Sequence, residues 1–189
     1  MENVSLKDLT ANPAPLGLAG FGLTTMLLNI HNAGFFELNT MIVAMGIFYG
    51  GLAQVIVGIM EWKKNNTFGT TAFTSYGFFW LSLVAIWLLP ESEVVHKSSS
   101  GSMAVYLALW GVFSTFLFVA TFKLNKALQI VFGLVVALFF LLAIANATGS
   151  ELIHTIAGYE GILCGASALY AGMAQVLNEV YGKVILPID

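Results

Sequence analysis

Uncharged polar side chains occur inside otherwise apolar segments of this 189-residue chain. An unpaired amide or hydroxyl in hydrocarbon costs several kcal/mol, so such side chains should point toward the inside of a helical bundle. The presence of any single serine or threonine in such a segment is explained by a hydrogen bond from its hydroxyl to the backbone carbonyl one turn earlier. Together, however, these groups are typical of a narrow path for a small polar solute. The residues interpreted in this way include Thr24, Asn29, Gln54, Thr74, Ser75 and Gln129.

The apolar segments lack the residue combinations that catalysis requires. They contain no His–acid pair, no Ser–His pair and no metal-ligand spacing, and Cys164 has no second cysteine with which to pair. We therefore predict that the protein is not an enzyme and uses no metal or cofactor. Glu61 is expected at a helix end beside Lys63, which leaves Glu160 as the carboxylate within a span. Glu160 either tunes an outer vestibule or extends its side chain to water.

The composition indicates an integral membrane protein. Hydrophobic residues make up 58% of the chain and charged residues 9%, whereas soluble domains have about 25% charged residues. So few charged groups cannot cover a soluble globule, and we expect a lipid bilayer to surround the protein. The chain has no arginine with which to bind phosphates, so no nucleic-acid partner is expected.

Six apolar segments approach the length of about 20 residues that a membrane-spanning helix needs. They predict a single all-α membrane domain over 1–189 with six transmembrane helices and short connections. The approximate spans are 16–33, 40–62, 68–89, 102–122, 127–147 and 153–176.

The lysines are distributed unevenly between the two ends of these spans. One end carries a single lysine, Lys97, and cytoplasmic segments are the ones that carry the excess of positive charge. We therefore predict that both termini are cytoplasmic. The lysines at the predicted cytoplasmic end are Lys7, Lys63, Lys64, Lys123, Lys126 and Lys183.

Small residues form a continuous stripe along the sixth segment and predict close packing against another helix. The stripe is compatible with a compact monomer and with an oligomer. It consists of Gly158, Gly161, Gly165, Ala168 and Gly172.

The most distinctive run of the sequence spans residues 12–21 and has the character of a helix start. Asn12 is a good N-cap, and prolines are tolerated in a first turn because its N–H groups lack intrahelical partners. The run reads Asn12, Pro13, Ala14, Pro15, Leu16, Gly17, Leu18, Ala19, Gly20, Phe21.

This run resembles the signature of the acetate uptake transporter family, which includes bacterial succinate–acetate permeases and their fungal and archaeal relatives. The similarity extends through 44–51, 71–77 and 165–168. The resemblance implies a six-helix protomer in the plasma or inner membrane and assembly into a homo-hexamer. It also implies one path through each protomer for acetate and, less readily, succinate, as an anion or coupled to protons.

The resemblance further implies an apolar constriction in this path. Phe21 and Tyr76 match the family's aromatic residues, whereas Val135 stands where the family has leucine, so a wider opening is expected. Ala168 matches a position on the sixth helix that influences substrate size. Polar family positions near the path correspond to Thr24, Gln54 and Gln129.

Two other functions are compatible with parts of the sequence. The Asn12-Pro13-Ala14 triplet also occurs in aquaporins, which pass neutral solutes, but those channels carry two triplets and an arginine. A non-transporting receptor or scaffold would use the small-residue stripe for assembly and the polar residues for helix pairing. Flux measurements separate these alternatives from transport.

Overall fold

Six helices make up most of residues 10–189, the part of the chain that the computed structural model describes. Lys7, which contributes to the predicted orientation, lies outside the described residues. The helices are α1 Ala14–Asn32, α2 Thr40–Lys63, α3 Thr67–Leu88, α4 Ser100–Thr121, α5 Lys126–Thr148 and α6 Glu151–Tyr181.

The predicted all-α architecture of six helices is confirmed. The helices α2 to α6 are long and apolar enough to cross a membrane. The first helix, α1, is shorter at 19 residues and ends in the polar residues Asn29, His31 and Asn32. At the other end of the chain, α6 continues to Tyr181, beyond the end predicted at Val176.

Polar residues at the helix starts explain why the helices begin where they do. Asn39, Asn66, Ser99, Asn125 and Ser150 each precede a helix and accept a hydrogen bond from a backbone N–H of its first turn. In α1, Pro13 stands immediately before the helix. Asn12, the predicted N-cap, accepts a hydrogen bond from the Ala14 N–H (3.1 Å).

The middle of α2 departs from α-helical geometry. Residues Gly46–Ala53 form a π-helix between the α-helical stretches Thr40–Met45 and Gln54–Lys63. Such segments are rare and often occur at functional sites. Two consecutive glycines, Gly50 and Gly51, lie in this segment, and a Cβ added to either would meet side chains of neighbouring helices. The apolar pattern of the sequence predicted one continuous helix and contained no sign of this change.

The glycine stripe of α6 packs against α1, which is the most extensive helix–helix contact. A Cβ on Gly22 of α1 would lie 2.7 Å from the carbonyl oxygen of Gly165, so the two backbones are in direct contact. The other main pairs are α4 with α5, α5 with α6, and α2 with α3. These contacts place α1 beside α2 and α6, so its polar residues lie inside the bundle rather than in lipid.

Candidate functional site

Aromatic rings fill the centre of the bundle. The ring centroids of Phe21 on α1 and Tyr76 on α3 are 5.8 Å apart. Tyr76 also contacts Phe132 and Phe139 of α5, and its hydroxyl forms a 2.8 Å hydrogen bond with Ser114 Oγ of α4. Because three neighbouring helices contact its ring and hydroxyl, Tyr76 has little freedom to move.

Two cavities lie on opposite sides of this aromatic centre. The larger, of about 410 Å³, is lined by residues near the start of α1, the end of α2 and the start of α3, including Glu61; we name it the Glu61 cavity. The smaller, of about 260 Å³, is lined by residues from the opposite ends of α1 and α3 together with residues of α4 and α5, and it includes Trp80; we name it the Trp80 cavity.

Phe21 and Val135 line both cavities, and they therefore mark the place where the cavities meet. Tyr76 lines only the Glu61 cavity, and Phe139 lines only the Trp80 cavity. Phe21 is 7% exposed, Tyr76 3% and Val135 2%, so all three side chains are buried. The residues proposed as a constriction thus lie together.

The wall of the Glu61 cavity carries hydrogen-bond acceptors that have no partner among residues 10–189. Glu61 is 2% exposed; its Oε2 accepts a hydrogen bond from Asn66 Nδ2 (2.7 Å), and its Oε1 is buried without a partner. Gln54 is fully buried; its Nε2 donates to the Gly50 carbonyl (2.6 Å), which leaves its Oε1 unpaired. Both side chains come from α2 and lie seven residues apart, on one helix face.

The short connection between α2 and α3 positions the Glu61 carboxylate. Asn66 caps α3 by accepting a hydrogen bond from the Gly69 N–H (3.0 Å), and the same amide donates to Glu61. A Cβ on Gly69 would lie 2.9 Å from Glu61 Cδ, so glycine is needed for this close approach. Asn65 has a positive φ of 59°, a conformation that asparagine tolerates better than most residues and that turns the chain between the helices.

The wall of the Trp80 cavity instead carries unpaired groups that can donate hydrogen bonds. Trp80 and Thr25 are each 2% exposed, and Trp80 Nε1 and Thr25 Oγ1 have no partner among residues 10–189. The indole nitrogen can only donate, whereas the hydroxyl can donate or accept. Asn29 is fixed nearby because its Nδ2 donates to the Thr25 carbonyl (2.9 Å) and its Oδ1 accepts from Asn32 (3.0 Å).

Two histidines line the Trp80 cavity. His31 Nδ1 lies 2.7 Å from the Phe36 carbonyl oxygen, and because a carbonyl only accepts, Nδ1 carries the proton of this hydrogen bond. His154 approaches from α6. The remaining polar lining includes Asn146, whose amide is bonded to the Leu142 carbonyl.

The predicted path residues occupy two kinds of position. Asn29 and Gln54 line a cavity, as do Asn12, Ala14 and the constriction residues, whereas the remaining predicted path residues lie outside the walls of both cavities. Thr74 packs against Gly58 of α2, and Gln129 Nε2 donates to the Thr121 carbonyl (3.3 Å). The path residues outside the walls are Thr24, Thr74, Ser75, Gln129 and Ala168.

Among the residues of the N-terminal signature, Pro13 immediately precedes α1, and Pro15, Leu16 and Gly17 lie at its start.

Glu61 lies near the end of α2, as predicted, but its carboxylate is buried in the wall of the Glu61 cavity, which the sequence did not indicate. The available signal was its spacing of seven residues from Gln54, which places both on one face. Glu160 also does not extend its side chain to water, which was one of the two alternatives considered for it. Both of its carboxylate oxygens are buried without a partner in the described part of the chain, and it lines neither cavity.

Membrane-length helices that enclose two cavities joined at an apolar constriction define the class of membrane channels and transporters. Comparison with known proteins narrows this class. The model of the GPR1/FUN34/yaaH family matches residues 3–187. The chain belongs to this family.

Individual relatives are similar over almost the whole chain. The Succinate-acetate/proton symporter SatP of Escherichia coli K12 is 56% identical over 178 residues, covering 94% of this chain and 95% of the relative. A solved structure of the bacterial acetate channel SatP has a TM-score of 0.92 at 55% identity and covers 95% of this chain and 99% of that one. The more distant Ammonia transport outward protein 2 of Saccharomyces cerevisiae is 38% identical over 89% of this chain, which spans 64% of that protein.

Proposed function

We propose that this protein is a single-domain, multi-pass protein of the plasma or inner membrane that carries acetate, and less readily succinate, across the bilayer. The observation that carries the proposal is the position of Phe21 and Val135, which line both cavities and so connect them into one path. The names of the bacterial relatives, an acetate channel and a succinate-acetate/proton symporter, support the choice of solute. Their description as channel or symporter also supports transport rather than catalysis.

In this proposal Phe21, Tyr76 and Val135 form the constriction that solute must pass. Asn29 and Gln54 provide polar contacts on its two sides, since each lines a different cavity. Thr24 and Ala168 act from behind the wall, because both are fully buried and line neither cavity. Thr74, Ser75 and Gln129 contribute through helix packing.

The proposed orientation places both termini in the cytoplasm, so that the Glu61 cavity opens to the cytoplasm and the Trp80 cavity to the outside. The distribution of lysines supports it, because Lys63, Lys64, Lys123 and Lys126 lie at the α2–α3 and α4–α5 connections, beside the Glu61 cavity. We extend the proposal to a homo-hexamer with one path per protomer, which the family resemblance implies. All six helices, α1 included, span the bilayer in this arrangement.

Uptake of labelled acetate by liposomes that contain the purified protein tests the proposed function. The assay is run at a pH well above the pKa of acetic acid, so that little neutral acid crosses the lipid, and empty liposomes provide the background. We expect uptake above this background and competition by succinate. Uptake equal to that of empty liposomes, with and without a pH gradient, would show that the proposed function is wrong.

A further inference from the structure

A third cavity adjoins the Trp80 cavity. It has a volume of about 210 Å³ and is lined by residues from the start of α4, the end of α5 and the start of α6. Asn146 and His154 line both this cavity and the Trp80 cavity, so the two cavities meet at these side chains. We name it the Glu151 pocket, and its lining consists of Ser100, Ala145, Asn146, Gly149, Ser150, Glu151 and His154.

The Glu151 pocket and the constriction lie at opposite ends of the Trp80 cavity. Val135, a constriction residue, and Asn146 both line this cavity and belong to α5. Their positions in the sequence place them about 16 Å apart along the axis of the helix. A solute that enters through the Glu151 pocket therefore passes along the whole Trp80 cavity before it reaches the constriction.

The Glu151 pocket changes from exposed to partly buried toward the Trp80 cavity. Ser100 and Glu151 are exposed, whereas the two shared residues Asn146 and His154 are partly buried. Gly149 ends α5 with a φ of 68°, and a Cβ added to it would have no other atom within 4 Å. The turn between α5 and α6 thus leaves this side of the pocket uncovered, as an entrance requires.

Glu151 places a negative charge in the lining of this pocket. Among residues 10–189 it has no ion-pair partner, whereas Glu91 on the α3–α4 connection is paired with His96 (3.4 Å). The other titratable side chain of the lining is His154, three residues further along α6. Glu151 also stands in the first turn of α6, where a carboxylate interacts favourably with the helix dipole. A structural role and an effect on the solute must therefore be separated by experiment.

Glu151 repels an anion in the pocket in proportion to the charge of that anion. A space of 210 Å³ is about 7 Å across, a separation at which two charges near a protein surface interact appreciably at low ionic strength. The partial positive charge at the starts of α4 and α6 offsets part of this repulsion for a single charge. At neutral pH acetate carries one negative charge and succinate two, so the repulsion costs succinate twice as much free energy as acetate.

We infer that the Glu151 pocket is the entrance to the Trp80 cavity and that Glu151 is a specificity-determining residue that favours monocarboxylates over dicarboxylates. The inference rests on the proposed function, because it requires a carboxylate that moves along the path. It adds selection by charge at the entrance to selection by size at Phe21, Tyr76 and Val135. Glu151 acts through its charge and does not need to touch the solute.

Uptake of labelled acetate and succinate by liposomes at low ionic strength tests this selection. We expect Glu151→Gln to raise the initial uptake of acetate about threefold and that of succinate about tenfold, because the factor for one charge is squared for two. Added salt should reduce both increases. Glu151→Asp keeps the charge and should keep the succinate-to-acetate ratio of the wild type. An unchanged ratio in Glu151→Gln would overturn the inference.

The matched control is Glu93→Gln, which removes the same charge from an exposed residue of the α3–α4 connection. Glu93 lines none of the three cavities. This variant should keep the wild-type ratio, and thermal unfolding of both glutamine variants is compared with that of the wild type. A rise in the ratio as large as that of Glu151→Gln would assign the effect to the net charge of the protein and contradict the inference.

Thiol modification tests the charge of the pocket without transport. In a Cys164→Ala background, Ser100→Cys places a thiol in the lining of the Glu151 pocket. Glu151→Gln should speed its reaction with a thiosulfonate reagent that carries a sulfonate about threefold, and slow the reaction with the trimethylammonium analogue to a similar degree. Unchanged rates would overturn the inference. Absence of acetate uptake by the wild type would refute the proposed function itself, whereas unchanged selectivity in a transporting Glu151→Gln refutes this inference alone.

Discussion

The two cavities differ in the hydrogen-bonding groups that they leave unpaired within the described chain. Glu61 and Gln54 in the wall of the Glu61 cavity each keep a buried acceptor oxygen without a partner, whereas Trp80 and Thr25 in the wall of the Trp80 cavity keep a buried indole N–H and a buried hydroxyl without one. A carboxylate accepts hydrogen bonds, so it suits the donors of the Trp80 cavity as an anion. The same solute can donate a hydrogen bond to the acceptors of the Glu61 cavity only when it carries a proton.

This difference explains how a path without arginine handles an anion. In the proposed path, the donors of the Trp80 cavity replace part of the hydration of the anion, and the proposed constriction at Phe21, Tyr76 and Val135 then excludes water. The following variants change one cavity, or the boundary between the cavities, while leaving the rest of the path in place.

Removal of the indole donor from the Trp80 cavity should have the largest effect. Trp80→Phe keeps an aromatic ring but loses the Nε1–H, and a hydrogen bond to a charged group contributes about 1.5–3 kcal/mol. We expect the KM for acetate uptake to rise by roughly 10- to 100-fold. Trp62→Phe, at a residue that is 72% exposed on α2, is the control and should leave KM unchanged. An unchanged KM in Trp80→Phe would show that the indole does not bind the solute.

Removal of the Tyr76 ring should merge the two cavities and weaken size selection. We expect Tyr76→Ala to raise the succinate-to-acetate ratio of uptake by roughly tenfold, because several atoms of the constriction are lost. The substitution also costs about 3–5 kcal/mol of stability. Tyr76→Phe therefore serves as a second variant that keeps the ring and loses only the bond to Ser114. It should preserve selectivity, and an unchanged ratio in a folded Tyr76→Ala would assign Tyr76 to helix packing alone.

Enlargement of the side chain at Val135 should have the smallest effect, and it should strengthen size selection rather than weaken it. Val135→Leu adds one methylene at the junction of the cavities, and we expect it to lower succinate uptake about two- to fivefold more than acetate uptake. Both rates are measured on the same liposome preparation, which cancels differences in protein content. Equal reduction of the two rates would mean that Val135 does not discriminate by size.

The helices and the proximity of the three proposed constriction residues were predictable from the sequence for different reasons. The spans follow from the length of apolar segments, because a backbone in lipid must satisfy its own hydrogen bonds as a helix. The proximity of Phe21, Tyr76 and Val135, which come from three helices, followed only from the family resemblance. Helical periodicity alone does not determine which faces of α1, α3 and α5 meet.

The unpaired groups of the cavities were largely missed, and the reasons are physical. Glu61 lies next to Lys63 in sequence, but burial depends on the direction in which the side chain leaves α2. Trp80 lies in an aromatic-rich segment where a tryptophan is usually a packing residue. The π-helix at Gly46–Ala53 changes the helical phase before Gln54, so a regular 3.6-residue repeat does not apply across all of α2. Thr74 was predicted to line the path because its side chain is polar. In the structure, Gly58 on the neighbouring helix leaves room for the Thr74 side chain to pack against it.

The central claim is that the two cavities open on opposite sides of the membrane and meet only at the constriction, and cysteine accessibility tests it most directly. In a Cys164→Ala background, Thr25→Cys places a thiol in the Trp80 cavity and Gln54→Cys places one in the Glu61 cavity. A small, membrane-impermeant thiol reagent should modify the Thr25→Cys variant only from outside and the Gln54→Cys variant only from the cytoplasmic side, and acetate should slow both reactions. Modification of both thiols from the same side would contradict the account.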